Sequence, residues 1–254
     1  VSFTGSTGVG KTILKVAAEQ VLKPAMELGG NAPLIVFDDA DIDEAVNGAI
    51  LAKMRNLGEA CTAANRFYIQ DGIYDAFVQK FTAKMKALKV GNGLDKSVDV
   101  GPLINEKTIS KVEMLVNDAV SKGAKILLGG ERLKAKGYFF PPTVITNIPD
   151  NAKCLKDEIF GPVATIQKFT NEDEVIMRAN DTEYGLVAYV FTKDIKRGLQ
   201  VSEQLEFGMV GLNRGIVSDP AAPFGGSKQS GLGREGGHEG ILEFTESQYI
   251  SVEW

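Results

Sequence analysis

Hydrophobic and polar positions switch between two periods along this chain. Tyr74, Phe77, Val78, Phe81, Met85 and Leu88 recur at three- and four-residue steps, the stripe of an amphipathic helix. Ile109, Val112, Leu115, Val116, Ala119 and Val120 repeat that spacing and predict a second helix, followed by a strand at Lys125–Leu128. Short apolar runs bounded by turn residues predict buried strands at Pro33–Phe37, Arg66–Ile69, Val163–Phe169, Leu186–Phe191 and Met209–Leu212. Asp41 is placed to cap a helix running to Met54, and further helices are predicted at Asp173–Ala179 and Ile195–Glu203. At the start, Val1–Thr4 reads as a strand, Gly5–Gly10 as a tight turn and Lys11–Leu22 as a helix. The alternation predicts an α/β fold with a mostly parallel sheet and flanking helices on both faces. The segment from Pro223 to Gly237 is glycine-rich and loop-like. Phe244–Trp254 alternates as an isolated strand, which needs a partner sheet to be stable.

Composition narrows the function classes. With 254 residues, 44% of them hydrophobic and 24% charged, the chain has room for a substantial core. A net charge of −5 with no basic face argues against a nucleic-acid partner. No apolar run reaches the roughly 18 residues of a membrane span, and no signal peptide is legible, so no membrane partner is expected. Two cysteines, Cys61 and Cys154, make no disulfide framework, which points to a reducing, cytoplasmic setting. Val1 enters a strand already under way, so an N-terminal portion is expected to precede it.

Two residue groups carry candidate chemistry. Cys61 lies among small residues in Gly58-Glu59-Ala60-Cys61-Thr62-Ala63, on a predicted loop, and is a candidate nucleophile. Glu27, in the apolar run Met26-Glu27-Leu28-Gly29-Gly30, is a candidate general base. The one histidine, His238, is far off in sequence, so a Cys–His pair is not favoured. A different chemistry is suggested by Gly5-Ser6-Thr7-Gly8-Val9-Gly10-Lys11-Thr12, which matches the phosphate-loop pattern G-x-x-x-x-G-K-[ST] between a strand and a helix. Leu34–Asp39 even resembles a magnesium-holding strand. A helix N-terminus attracts any phosphate or pyrophosphate, however, and a nucleotide hydrolase leaves the Cys61 loop and the glycine-rich tail without a role. It stands as the alternative reading, together with a catalytically silent fragment of structural or assembly role.

Five segments in order resemble the aldehyde dehydrogenase family: Phe3-Thr4-Gly5-Ser6, Glu27-Leu28-Gly29-Gly30, Gly58-Glu59-Ala60-Cys61, Glu158-Ile159-Phe160-Gly161-Pro162, and Pro223-Phe224-Gly225-Gly226 with Lys228-Gln229-Ser230-Gly231. A family member is longer, and the chain resembles its C-terminal half. The resemblance implies a catalytic domain at 31–222, the remnant of a Rossmann-like cofactor domain at 1–30, a return segment to that domain at 223–242 and an oligomerisation strand at 243–254. Arg55, six residues before Cys61, and Ser218 are similar to the pair that the succinate-semialdehyde dehydrogenases use for the substrate's distal carboxylate. Asn180-Asp181-Thr182-Glu183-Tyr184-Gly185-Leu186 also resembles that group. Some members carry a second cysteine two residues after the nucleophile; here that position is Ala63, so no adjacent disulfide can form.

The chemistry implied by the resemblance is oxidation of an aldehyde to a carboxylate with NAD or NADP. Cys61 forms a thiohemiacetal and then a thioester, and Glu27 activates the water that hydrolyses it. Gly5, Ser6, Thr7, Gly8, Val9 and Gly10 would hold the cofactor pyrophosphate, Glu158 the nicotinamide ribose and Phe160 the nicotinamide face, with Leu28 a further cofactor contact. The backbone N–H of Cys61 would stabilise the oxyanion. No metal is assigned. The assembly implied is a homodimer or homotetramer, and the chain alone is expected to turn over little. Plainer readings stand beside these: Cys154 as a buried thiol, Arg55 as a helix-end cation, Ser218 as a turn cap, Phe160 as core packing, and Lys228 and His238 as surface residues.

Overall fold

The computed structural model describes residues 1–254. In chain order its elements are β1 (Ser2–Thr4), α1 (Thr7–Glu19), β2 (Ala25–Glu27), β3 (Ala32–Val36), α2 (Ile42–Met54), β4 (Ala64–Gln70), α3 (Tyr74–Ala87) and α4 (Glu106–Ser121). There follow β5 (Lys125–Leu128), β6 (Thr143–Thr146), β7 (Val163–Phe169), α5 (Glu172–Asn180), β8 (Tyr184–Gly185), β9 (Val187–Phe191), α6 (Ile195–Gln204), β10 (Met209–Leu212), β11 (Ser227–Lys228), β12 (Gly231–Leu232) and α7 (Glu239–Leu242).

A seven-stranded sheet runs in the order β10-β9-β3-β4-β7-β6-β5. Every neighbouring pair is parallel except β5 with β6. The central strands are apolar on both faces because helices cover both. Leu34, Val36, Phe67, Ile69, Val187, Tyr189 and Phe191 pack with α2 and α3 residues Ala45, Ala49, Phe77 and Phe81. The alternate positions Ile35, Tyr68, Ala188 and Val190 pack on the other face with Val175, Ile176 and Val201 of α5 and α6. The period of two along each strand therefore divides one run of apolar residues between two cores. A third core forms under α4, where Ile109, Val112, Leu115, Val116 and Ala119 meet Ile145, Cys154 and Ile159.

A second, small sheet holds β1, β2 and β12, with β1 and β2 parallel and β12 antiparallel to β2. The glycine-rich tail thus returns to pair with the strand that carries Glu27, through Gly231 opposite Glu27.

Several boundaries differ from expectation. Gly5–Gly10 is not a tight turn: α1 already begins at Thr7, with Ser6 as its N-cap residue. The helix tolerates Gly10 because it packs against β2, where a β-carbon would lie 2.5 Å from Leu28 Cδ2. The helix ends at Glu19, and Val21 turns left-handed at φ 53°, so Leu22 lies outside it. The strand Thr143–Thr146 was not predicted. Its four residues are all buried, but two prolines precede it and a third follows closely, and that pattern reads as loop. Residues 245–254 form no strand and pair with none of this chain; an extended segment without a sheet edge gains no ladder hydrogen bonds. In that segment Tyr249, Ile250 and Trp254 are exposed.

Candidate active site

The residues with candidate chemistry gather at the seam between the two sheets. Gly5 follows β1 and Leu28 follows β2, so both lie at the carboxyl ends of the small parallel pair. Leu28–Asn31 precede β3, Cys61–Ala63 precede β4, Glu158–Pro162 precede β7, and Tyr184–Leu186 lead into β9. These four strands, β9, β3, β4 and β7, are consecutive in the large sheet. Ligands of open α/β sheets ordinarily sit at carboxyl ends. Here the small sheet obeys that rule, and the large sheet meets the seam with its amino ends.

The loop that presents Cys61 is shaped by three successive left-handed residues, Asn56, Leu57 and Gly58, at φ 51°, 59° and 77°. Asn56 closes the turn on itself: its Nδ2 donates to the Glu59 carbonyl at 2.7 Å, and Glu59 N–H donates back to the Asn56 carbonyl at 2.8 Å. Gly58 is required twice, for its φ and because a β-carbon would stand 2.3 Å from the Gly161 carbonyl oxygen. Gly30 packs equally close from the other side, with its Cα facing the Cys61 carbonyl. The Cys61 loop is therefore clamped between the Glu27–Gly30 and Glu158–Pro162 segments.

Cys61 is half-buried and free. Burial pushes its thiol pKa up, and the carboxylates of Glu158 and Glu27 push it further. The backbone N–H groups of Cys61 and Thr62 act in the opposite sense. Glu27 ends β2 at 5% exposure, and its Oε2 is buried with no hydrogen-bond partner. Burial, and then the field of Glu235, raise its pKa to about 7, against the pull of Arg234. A carboxylic acid poised near neutrality, with an unused oxygen and a field that reaches the Cys61 thiol, suits a general base.

Glu158 accepts a hydrogen bond from Gly30 N–H at 3.0 Å, and burial raises its pKa. Phe160 is half-buried in a left-handed conformation at φ 57°. Arg55 follows the last turn of α2 and donates from Nη2 to Thr62 Oγ1 at 2.9 Å. Ser218 lies on the exposed connection after β10 and makes no hydrogen bond to Arg55. That connection passes α2, where Gly215 abuts Gly48, and returns to the seam, where Gly225 faces Glu27.

At the small sheet, Ser6 makes no side-chain cap bond to α1, so the first-turn N–H groups have no side-chain acceptor. Thr7 Oγ1 donates to the Gln229 carbonyl at 3.2 Å and Lys11 Nζ to Gln229 Oε1 at 2.5 Å. A phosphate loop wraps a phosphate with residues ahead of its helix. Here Thr7–Gly10 are inside the helix and Lys11 is engaged with the tail, so the nucleotide-hydrolase alternative has no cradle.

The family model for aldehyde dehydrogenases matches residues 1–250. The chain belongs to the aldehyde dehydrogenase family. A succinate-semialdehyde dehydrogenase of Paenarthrobacter nicotinovorans is 56% identical over 252 residues, covering 99% of this chain and 56% of that protein. A glutarate-semialdehyde dehydrogenase of Pseudomonas aeruginosa is 51% identical, covering 99% of this chain and 52% of the relative. Among solved structures, an NADP-dependent enzyme of E. coli superposes with a TM-score of 0.95 at 51% identity, covering 96% of this chain and 51% of that one. This aldehyde dehydrogenase chain thus spans about half the length of the relatives it matches.

Several residues at the seam carry no local sequence signal. Lys53 is completely buried, its Nζ donating to Asn65 Oδ1 at 2.8 Å. Burial lowers its pKa to about 7, opposed by the field of Glu158. By sequence position it is an ordinary cation in the last turn of α2, where the helix dipole favours one. Arg66 is 1% exposed and ties the carbonyls of Asn31, Arg178 and Ala179 together. Tyr189, in the middle of β9, donates to the Thr62 carbonyl at 2.8 Å. No local pattern distinguishes these three from surface or core residues. Burial of a cation within a polar motif is visible only once the strands are placed.

Proposed function

We propose that the protein oxidises an aldehyde bearing a distal carboxylate, with succinate semialdehyde the favoured substrate and NAD or NADP the cofactor. The observation that carries this reading is the packing of Gly30 against the Cys61 carbonyl, which sets the segment that begins with the buried, unpartnered Glu27 beside the Cys61 loop. In this reading Cys61 attacks the aldehyde carbon, and its own backbone N–H stabilises the oxygen that gains charge. When bound, an oxidised nicotinamide cofactor would supply the acceptor for the hydride that the Cys61 adduct loses as it becomes a thioester. The thioester left on Cys61 is then hydrolysed by a water whose proton passes to the Glu27 carboxylate.

The residues present suit that cofactor. The uncapped N-terminus of α1, at Ser6–Val9, offers N–H groups and a positive dipole end to a pyrophosphate. Glu158, fixed through one oxygen by Gly30, has its other oxygen close to Gly29 and free to accept from a ribose hydroxyl. Leu28 and Phe160 provide apolar contact at the same seam. Arg55 offers a cation to the distal carboxylate, with Ser218 as a second donor. The two relatives named above act on semialdehydes of different length, so a carboxylate-bearing aldehyde is the common chemistry. We also assign a homodimer or homotetramer, with the exposed Tyr249, Ile250 and Trp254 as contact residues, and a cytoplasmic setting that suits two free cysteines.

The test uses the full-length protein with succinate semialdehyde and either cofactor. Cys61→Ala should abolish cofactor reduction. Glu27→Gln should still reduce one cofactor equivalent in a burst and then stall. A Cys61→Ala enzyme that keeps its turnover would overturn the reading.

A further inference from the structure

Thr62, next to Cys61, is held at both ends. Its carbonyl accepts from the Tyr189 hydroxyl at 2.8 Å, and Tyr189 is fixed in the core of β9 at 2% exposure. Its own hydroxyl oxygen accepts from Arg55 Nη2 at 2.9 Å, and Thr62 is 3% exposed. Arg55 has no other hydrogen bond and no carboxylate partner. A guanidinium carries five N–H donors in a rigid fork. One corner of this fork is tied down beside the candidate nucleophile, and the rest is unengaged.

An untethered arginine has several rotatable bonds and meets a carboxylate wherever the substrate presents it. A tethered one presents its free edge at a set reach from Cys61. Its backbone is equally constrained, because Arg55 runs straight into the left-handed residues Asn56, Leu57 and Gly58. The distance from sulfur to cation then becomes a gauge for the number of carbons between aldehyde and carboxylate. An apolar pocket by itself rejects one extra methylene only by about 10–200-fold, whereas a misplaced carboxylate also loses its paired donors.

We propose that Thr62 is a positioning residue for specificity: through Oγ1 it holds the Arg55 guanidinium at fixed reach from Cys61 and so makes the site discriminate ω-carboxy aldehydes by length, in favour of the four-carbon acid named in the proposed function. This rests on the reading that Arg55 receives the distal carboxylate. Thr62 does not itself touch the substrate. Its effect belongs in the KM for carboxylate-bearing aldehydes, not in the chemistry at sulfur.

The experiment measures kcat and KM of the full-length protein with succinate semialdehyde, glutarate semialdehyde and uncharged butanal. Thr62→Val keeps the shape and the backbone carbonyl but removes the acceptor for Arg55. It should lower kcat/KM for the four-carbon acid about tenfold, mostly through KM, while the five-carbon acid changes by less than about threefold and butanal stays level. Thr62→Ser, which keeps the hydroxyl, should restore the wild-type order, and Thr62→Ala should behave as the valine variant does. A four- to five-carbon ratio unchanged in both Thr62→Val and Thr62→Ala, or an equal loss on all three aldehydes, overturns the gauge. Arg55→Gln separates the two readings. If it abolishes the preference for carboxylate-bearing aldehydes over butanal while the Thr62 variants leave the ratio unchanged, only the gauge falls. If the preference survives Arg55→Gln, both fall.

Discussion

Replacing Glu27 by glutamine removes one ionisable proton and almost nothing else. The side chain is buried, its Oε2 has no partner, and its pKa is raised from 4.5 to about 7, first by burial and then by Glu235. The raised value has two measurable consequences. For stability the sign follows from linkage: the unfolded chain gives up the Glu27 proton near pH 4.5 while the folded chain keeps it to about pH 7. The contribution of the neutral acid is complete below pH 4.5 and is lost as pH rises through 7, a change of about 3 kcal/mol. Glutamine imitates the neutral acid at every pH. Glu27→Gln should therefore match the parent in urea denaturation at pH 4.5 and exceed it by up to about 3 kcal/mol at pH 8.5. For catalysis the same proton acts in the other direction, since only the carboxylate accepts a proton from water. In the full-length protein, steady-state turnover should rise through an apparent pKa near 7 and fall by about 10²–10⁴-fold in Glu27→Gln, with the first-turnover burst preserved. A Glu27→Gln enzyme with parental turnover and an unchanged pH profile would refute the assignment of the base. Equal stability differences at pH 4.5 and 8.5 would refute the raised pKa.

Three further outcomes follow from the same geometry. Lys53 is buried with a pKa lowered to about 7, so between pH 7 and 10.5 the unfolded chain binds the extra proton and the parent gains stability as pH rises; Lys53→Met should lose that slope, read as urea midpoints at pH 7.5 and 9.5. Gly58→Ala forces a β-carbon against the Gly161 carbonyl at a left-handed φ, and should lower stability by about 1–3 kcal/mol and displace Cys61, seen as a lower melting temperature and slowed labelling of Cys61 by iodoacetamide. Lys11→Ala should leave the protein without any magnesium-dependent ATP binding, as in the parent, by equilibrium dialysis, because Thr7–Gly10 are helical and build no phosphate loop.

Much of the fold was legible because its signals are local. The stripe Phe77, Phe81 and Met85 faces one side of α3 and is buried, as three- and four-residue spacing requires. Asp41 accepts from the N–H groups of Asp43 and Glu44, so the start of α2 lies where a capping carboxylate placed it. The apolar runs became strands of a mostly parallel sheet with helices on both faces. What failed also has local causes. Thr143–Thr146 was hidden by flanking prolines, Gly8 and Gly10 were read as turn residues although they lie inside a helix, and the terminal alternation had no edge to pair with in this chain.

Local sequence by itself determined most of the helices and strands, and in Glu27-Leu28-Gly29-Gly30 and Gly58-Glu59-Ala60-Cys61 it held the marks of the family. Strand order was decided by tertiary structure alone. Placing β9, β3, β4 and β7 side by side with their amino ends toward the small sheet set Glu27, Cys61 and Glu158 around one seam. It also enclosed Lys53, buried Glu27 Oε2 without a hydrogen-bond partner and tied Arg55 to Thr62. Burial and electric field depend on neighbours far away in sequence, so the reactivity of these groups arises only when the sheets close on them.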